Sequence, residues 1–488
     1  MSAPLQRREQ SHDGDHESLR HKVAEKLAGS RYFALSLTIH VLIVALAGTI
    51  VIYKTYIEPD EFTAGSYGIV APIDATTEPE SPQDTLLSKP DAAQPPVVAI
   101  PDFPIVSTTA PVSNAAPIYH RPFSGTIAMP GNIGRDGVGK IPLVARGLPV
   151  EFWGRIGDGR WKVPEQRRPT KKSEAAVLRG LEWLRLNQNN DGSWGDKNKA
   201  AMTGLALLCF LGHGETPESP QYGFTVNKGV QWLIDNGTKF QGRLGMEDRF
   251  TQQGVYEHGI ATYALGEYFS MTQDERVIEL LRQAVGYIVQ GQGPGGGWMY
   301  SFDKTANDLS VSGWQIQALK AAHLTKLNLP GVDPALDKAM SYIESVKGPK
   351  GGYGYRGPED RYSLSGVGIL SRLFWKGEHG ELRKGLDWVL DETEKNKPVK
   401  YKSEHADLYA WYYHTQACLM FGGAVWTKWN RWFQDEIVDA QSTDGSWPVT
   451  VAKGHGPQAE NSRTGAVYRT TLCVLMLEVF YRYMPATR

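Results

Sequence analysis

Residues 179–194 read RGLEWLRLNQNNDGSW, and the last seven positions of this stretch recur along the chain. The copies are QGPGGGW at 292–298, QSTDGSW at 441–447 and a weaker KGPKGGY at 347–353. Each copy follows an apolar segment of helical periodicity that carries an aromatic residue. Six such marker aromatics occur: Trp183, Trp232, Tyr287, Tyr342, Trp388 and Trp432. Recurrence at this spacing predicts an architecture built from repeats.

Each marker segment is followed by a second helical segment, which gives six pairs. The first helices are predicted to begin near residues 173, 226, 275, 334, 381 and 426, and the second near 201, 256, 308, 363, 405 and 461. The last pair is as apolar as the others (LCVLMLEVF, 472–480), whereas an open array needs polar capping repeats. The pattern therefore predicts an all-α fold over 169–488, a closed (α/α)6 toroid with the second helices lining its centre.

The first copy, Arg179-Gly180-x2-Trp183-Leu184-x3-Gln188-x3-Gly192-x-Trp194, resembles the QW repeat of squalene–hopene and oxidosqualene cyclases. Their fold is shared with protein prenyltransferase β subunits. The segments WYYHTQACLMFGG and YRTTLCVLMLEVFYRYMP are similar to those of uncharacterised bacterial proteins with prenyltransferase and squalene oxidase repeats. The resemblance covers about residues 170–485, although the second and fifth repeats lack the motif. It implies a structural role for Gln188, Gly192, Trp194, Gln292, Gly296, Trp298, Gln441, Gly445 and Trp447.

The chemistry of the resembling families is not visible in this sequence. It contains no D-x-D-D acid, no D-C-T-A-E motif and no C-G-E-Q thioester motif. None of Cys209, Cys418 and Cys473 has an Asp two residues before it, as the zinc site of prenyltransferases requires, or forms a C-x-x-C pair. We therefore predict neither a metal site nor a cofactor. A net charge of −1 without basic runs argues against a nucleic-acid partner.

Polar and aromatic residues cluster where the second helices begin, and a toroid would direct them into one central cavity. Weak catalytic candidates are Glu257, Asp308 and Asp407, because two carboxylates across a cleft can act as acid and base. The expected lining is Tyr256, His258, Trp314, Arg361, Tyr362, His405, Tyr409, Trp411, His414, Arg463 and Tyr468. Three interpretations stay open: helix caps paired with arginines, a pocket for a ligand or partner, and an enzyme acting on an isoprenoid lipid or a polysaccharide.

Residues 33–53 form an uncharged run of the length that crosses a bilayer. Basic residues precede it and acidic ones follow within ten positions, which predicts a cytoplasmic N-terminus and an extracytoplasmic, periplasmic C-terminal domain at the inner membrane. A Pro/Gly-rich stretch without periodicity comes next. The predicted organisation is a basic N-terminus at 1–32, a transmembrane helix at 33–53, a disordered linker at 54–168 and the toroid at 169–488.

His40 lies inside the apolar run, and Ser36 lies one helical turn before it. An ionisable residue in a membrane helix is a functional hypothesis by default. The Ser-x3-His pair, behind a basic N-terminus and before a Pro-rich stretch, resembles the anchor of TonB-type energy transducers. That resemblance implies coupling to a proton-channel complex through His40, and a transducer is a further alternative for the function.

Overall fold

The computed structural model describes residues 150–155, 169–245, 252–377, 379–452 and 456–482. All of them belong to one of the chain's two compact units, Ala64–Arg488. The predicted transmembrane run, with Ser36 and His40, lies outside the described residues, as does nearly all of the predicted linker. Within the described part, no helix is long and apolar enough to cross a membrane.

The described residues are mostly helical, without β-strands, and contain twelve helices of at least 13 residues. In chain order these are α1 Lys171–Leu186, α2 Lys199–His213, α3 Gly223–Lys239, α4 Gln252–Thr272, α5 Ile278–Gly291, α6 Leu309–Leu324, α7 Val332–Ser345, α8 Tyr362–Phe374, α9 His379–Lys395, α10 Leu408–Phe421, α11 Gly423–Asp439 and α12 Arg463–Leu477. A short helix α13, Val479–Arg482, follows. The predicted helices are present with ends shifted by about one turn, except that the last one breaks at Glu478.

The two kinds of helix differ in burial as their sequences differ in periodicity. The even-numbered helices are apolar around most of their circumference; α2, for example, is buried along nearly its whole length. The odd-numbered helices, such as α5, bury one face and expose the other. This difference places the even-numbered helices inside the domain and the odd-numbered ones on its surface.

Helix contacts continue from the last helices to the first. The even-numbered helices contact one another in chain order, and α12 then contacts α2. Each odd-numbered helix from α3 onward contacts the even-numbered helix that precedes it, and α1 contacts α12. The apolar surface of α12 is thereby covered by α1 and α2, as the sequence requires.

The three full copies of the repeat make the same hydrogen bonds. Each Trp is fully buried, and its Nε1 donates to a carbonyl ten residues earlier over 2.7 Å. Each Gln donates through Nε2 to the carbonyl of the motif's Gly and to a carbonyl of the next odd-numbered helix. The second acceptors are Thr225 in α3 for Gln188, Ala335 in α7 for Gln292, and Ala176 in α1 for Gln441. The motif after α11 is therefore hydrogen-bonded to α1 in the same way as the other two motifs are hydrogen-bonded to the next odd-numbered helix in the chain.

Candidate functional site

An open cavity of about 370 Å³ lies where α8 and α10 begin, beside α9. It is within the size range of pockets for small molecules. The loop before α8 contributes Asp360 and Arg361, and α9 contributes Trp388 and Glu392. The complete lining is Lys350, Asp360, Arg361, Tyr362, Ser363, Trp388, Glu392, Lys397, Glu404, His405 and Asp407. Four of the residues predicted from the sequence (Arg361, Tyr362, His405 and Asp407) therefore meet in one polar pocket.

Asp407 is the most buried carboxylate of this pocket, with 6% of its surface exposed. It is the N-cap of α10, and its Oδ1 accepts a hydrogen bond of 2.9 Å from the backbone N–H of Ala410. The helix end stabilises the negative charge at this position. Asp407 therefore serves as a cap and also presents a carboxylate to the pocket, so the two roles considered for it are compatible.

Tyr362 forms one wall of the pocket and is held in place from behind. Its hydroxyl bonds the Thr393 hydroxyl over 2.9 Å, and its ring meets that of His414 edge-on. Burial raises the pKa of Tyr362, and the negative charges of Asp407 and Glu392 raise it further. The phenol is therefore neutral, and it lies close to two carboxylates of the pocket.

Asp308 lies in a different place, beneath a cluster of tyrosines. It is fully buried as the N-cap of α6, and its Oδ1 accepts from Ser310 N (2.9 Å) and Ser310 Oγ (2.5 Å). Ser310 Oγ in turn bonds the Tyr256 hydroxyl at 2.8 Å, and Tyr300 bonds Tyr355 nearby. Burial raises the pKa of Tyr256, with the Asp308 charge as the next cause. Asp308 and Tyr256 thus belong to a buried network, separate from the pocket.

Glu257, the third carboxylate candidate, caps a neighbouring helix. It is buried, and its Oε2 accepts a 3.1 Å bond from Ala200 N at the start of α2. Burial raises the pKa of Glu257 to about 8, although the N–H groups of Ala200 and Ala201 favour the charged form. The position supports the packing of α4 on α2 and does not line the pocket.

The raised pKa of Glu257 predicts a distinct pH dependence of stability. Because the folded state holds this proton up to about pH 8 and the unfolded state releases it near 4.5, the free energy of unfolding should fall as the pH rises between these values. The slope is at most ~1.4 kcal/mol per pH unit. Glu257→Gln keeps the acceptor and removes the titration. Denaturant unfolding from pH 5 to 8 should show a flatter profile for this variant and an unchanged one for Glu394→Gln; equal slopes for wild type and Glu257→Gln would contradict the assignment.

His258 and His414 are packing residues in this structure. His258 Nδ1 accepts from Leu244 N and its Nε2 lies 2.9 Å from the Ala284 carbonyl. Burial lowers the pKa of His258 to about 4 and that of His414 to about 3. Both rings are neutral at physiological pH and remote from solvent. Among the described residues, no group of three His, Cys, Asp or Glu side chains could hold a metal ion.

The remaining predicted aromatic residues lie in the helical core, whereas Arg463 is half-buried at the start of α12. Trp314 in α6 stacks on Tyr412 in α10, with ring centroids 5.7 Å apart. The Tyr409 hydroxyl reaches the Ser310 carbonyl at 3.4 Å. Trp411 and Tyr468 are buried, and Arg463 donates to the carbonyl of Asn187 at the end of α1. Aromatic rings therefore fill the space between α6 and α10.

Several residues of the pocket were not predicted from the sequence: Lys350, Asp360, Ser363, Trp388, Glu392, Lys397 and Glu404. The sequence pattern identifies Trp388 only as the fifth marker aromatic. The available signal was the degenerate repeat around it, because the fourth copy has Lys347 in place of Gln and the fifth has no Gly-x-Trp. Trp388 is half-buried and lines the pocket.

Comparison with known proteins assigns no family to this chain. No protein-family model and no curated protein matches it. Among solved structures it is similar to an inactive variant of the α-1,6-mannanase of Salegentibacter sp. HEL1_6 in complex with α-1,6-mannotriose (10% identity, 63% of this chain and 100% of that one, TM-score 0.45). It is also similar to the type II terpene cyclase MstE from Scytonema (12% identity, 63% and 98%, TM-score 0.45). Similarity at this level assigns no activity.

Proposed function

We propose that residues 169–488 form a closed (α/α)6 toroid of six helix pairs whose function is to bind a small polar ligand. The observation that supports this most is the open pocket between α8, α9 and α10. It combines a half-buried indole, Trp388, with carboxylates and cations that line the same space. Aromatic side chains stack on sugar rings and similar flat groups, while charged side chains bond polar substituents. The pocket is suited to a polar molecule.

The position of the pocket argues against an isoprenoid ligand. A long apolar chain would need an apolar cavity along the centre of the helices. Between α6 and α10 that space holds Trp314 stacked on Tyr412, and Gln317 bonded to the hydroxyls of Tyr412 and Tyr413. An enzyme that uses Asp407, Asp308 or Glu257 is the alternative. Of these three, Asp407 alone lines the pocket.

We further propose, from the sequence pattern of the first 60 residues, that the domain is tethered at the inner membrane on its extracytoplasmic side. The linker would let the domain reach partners at a distance from the bilayer. A TonB-like role, in which Ser36 and His40 contact a proton-channel complex, is a separate proposal. It rests on those two residues and the charge pattern around them.

Full-length protein extracted from the membrane fraction of its own cells should carry a polar ligand detectable by native mass spectrometry. Trp388→Ala should lower its occupancy at least tenfold, because it removes the indole that the half-buried Trp388 contributes to the pocket lining. Asp407→Asn, which keeps a good N-cap, should weaken binding without unfolding α10. Phe224→Ala, on an exposed aromatic outside the pocket, is the matched control. A bound isoprenoid lipid, or occupancy unaffected by Trp388→Ala, would refute the proposal, and recovery in the soluble fraction would refute the tether.

A further inference from the structure

We propose that the ligand of this pocket is zwitterionic, with an ammonium and a carboxylate group within one molecule of about dipeptide size. The inference rests on the proposed binding function and specifies the class of ligand. It follows from the charges that line the pocket, from which of them have partners, and from the volume of the pocket.

Four carboxylates line the pocket. Asp360 accepts from the backbone N–H groups of Lys350 and Gly352, and the exposed Glu404 lies 3.9 Å from His405. The anionic side that faces a ligand is therefore assigned to Glu392 and Asp407.

Glu392 projects from α9, is half-buried, and has no ion-pair partner among the described residues. Its neighbours on the same helix do have partners, since Glu394 pairs with Lys428 and Asp391 with Lys395. Glu392 and Asp407 line the same pocket as the buried Tyr362, and both charges raise the pKa of its phenol. These two carboxylates would accept hydrogen bonds from a ligand ammonium.

The cationic side is formed by Lys350 and Lys397. Lys350 lies in the loop before α8 and Lys397 in the loop after α9; within the described part of the chain, neither ammonium group has an ion-pair partner. Arg361, the third cation of the lining, is occupied by Glu359 at 2.8 Å. Lys350 is exposed and Lys397 half-buried, so both can reach a ligand carboxylate.

A ligand with one charge, or none, would fit this lining poorly. Displacing water from an unpaired charged group is costly unless a new partner replaces the water. A neutral sugar would desolvate Glu392 and Lys397 and leave both without an opposite charge, whereas an anion or a cation would satisfy one of them. A molecule with both charges satisfies the two together through charge-assisted hydrogen bonds. A cavity of about 370 Å³ is within the size range of small-molecule pockets, which suits a dipeptide or a similar amino acid conjugate.

Four probes of nearly constant shape test this proposal on the full-length protein in detergent. They are alanyl-alanine, its N-acetyl derivative, its C-terminal amide, and the derivative blocked at both ends. By isothermal titration calorimetry the unblocked dipeptide should bind tightest, and each block should weaken binding at least tenfold. Glu392→Gln should reduce the penalty for N-acetylation, and Lys397→Met should reduce the penalty for amidation; Asp407 and Lys350 remain in the respective variants. Glu394→Gln and Lys395→Met change residues two positions from Glu392 and Lys397, respectively, that are paired outside the pocket, and should alter neither penalty.

The outcomes separate this proposal from the binding function itself. Equal binding of all four probes, or of none, would overturn the zwitterion, as would a ligand lacking either charge on protein purified from its own cells. In each of these cases, a co-purifying polar ligand whose occupancy falls in the Trp388→Ala variant would still support the proposal that the pocket binds a ligand. If no polar ligand co-purifies and no probe binds, both proposals fail.

Discussion

Gly445→Ala is expected to lower the free energy of unfolding by about 3–5 kcal/mol, because this glycine lies at the contact between the last repeat and the first helix. Its φ of +96° is unfavourable for any residue with a side chain. A Cβ built there would also lie 2.3 Å from the carbonyl oxygen of Arg179 in α1, which is backbone and cannot rotate away. The strain of the left-handed conformation and the steric overlap therefore both contribute to the loss of stability. Denaturant unfolding measures the change.

Gly423→Ala is the matched control for that experiment. Gly423 also has a positive φ, +56°, but a Cβ there meets no atom within 4 Å. Its substitution should cost only the conformational strain, about 1–2 kcal/mol. Hydrogen exchange should further show that Gly445→Ala loosens α1 and α11 together, since Gln441 bonds Ala176 from the same loop. Equal costs for the two variants would mean that the last repeat does not hold the first helix.

The helices and their repeat motif could be predicted from sequence because their signals are local. Apolar spacing distinguishes the buried even-numbered helices from the amphipathic odd-numbered ones. The glycine of each motif follows from a turn that requires positive φ: Gly192, Gly296 and Gly445 all have a φ of +96°. The second acceptors of Gln188, Gln292 and Gln441, which belong to another helix, lie 37 to 265 residues away along the chain. They were not predictable, since they depend on which helices pack together.

Four of the eleven residues that line the candidate site could be predicted from the sequence. Arg361, Tyr362, His405 and Asp407 were predicted because they occur where inner helices begin. Trp388, Glu392 and Lys397 were not, because they lie on an outer helix and its following loop, where a polar residue is ordinarily solvent-exposed. The same rule selected Glu257 and Asp308, yet these residues cap buried helix ends. A helix start attracts carboxylates for capping and for chemistry alike, so sequence cannot separate the two roles.

A buried charge cluster was also beyond the reach of the sequence. Arg155 lies in a 3-10 helix, Val150–Arg155, inside the range assigned to the linker. Its Nη1 bonds Glu267 Oε2 at 2.8 Å and its Nε donates to the Arg482 carbonyl at 3.0 Å. The Arg482 guanidinium also lies 3.6 Å from Glu267, and the side chains of both arginines are fully buried. Glu267 thus joins a segment before the helices to α4 and to α13.

Glu267→Gln is expected to destabilise the domain by about 3–5 kcal/mol, because it leaves Arg155 and Arg482 without the carboxylate that they share. Burial alone would raise the pKa of Glu267, but the two arginines hold it below its ordinary value. Its contribution is therefore present above about pH 4.5 and is lost as the pH falls through the lower folded-state value. Urea unfolding at pH 7 measures the loss. Asp439→Asn, which breaks the exposed pair with Lys172, should leave the unfolding midpoint unchanged. A Glu267→Gln variant as stable as Asp439→Asn would show that the cluster contributes no net stability and that residues 150–155 are held by other contacts.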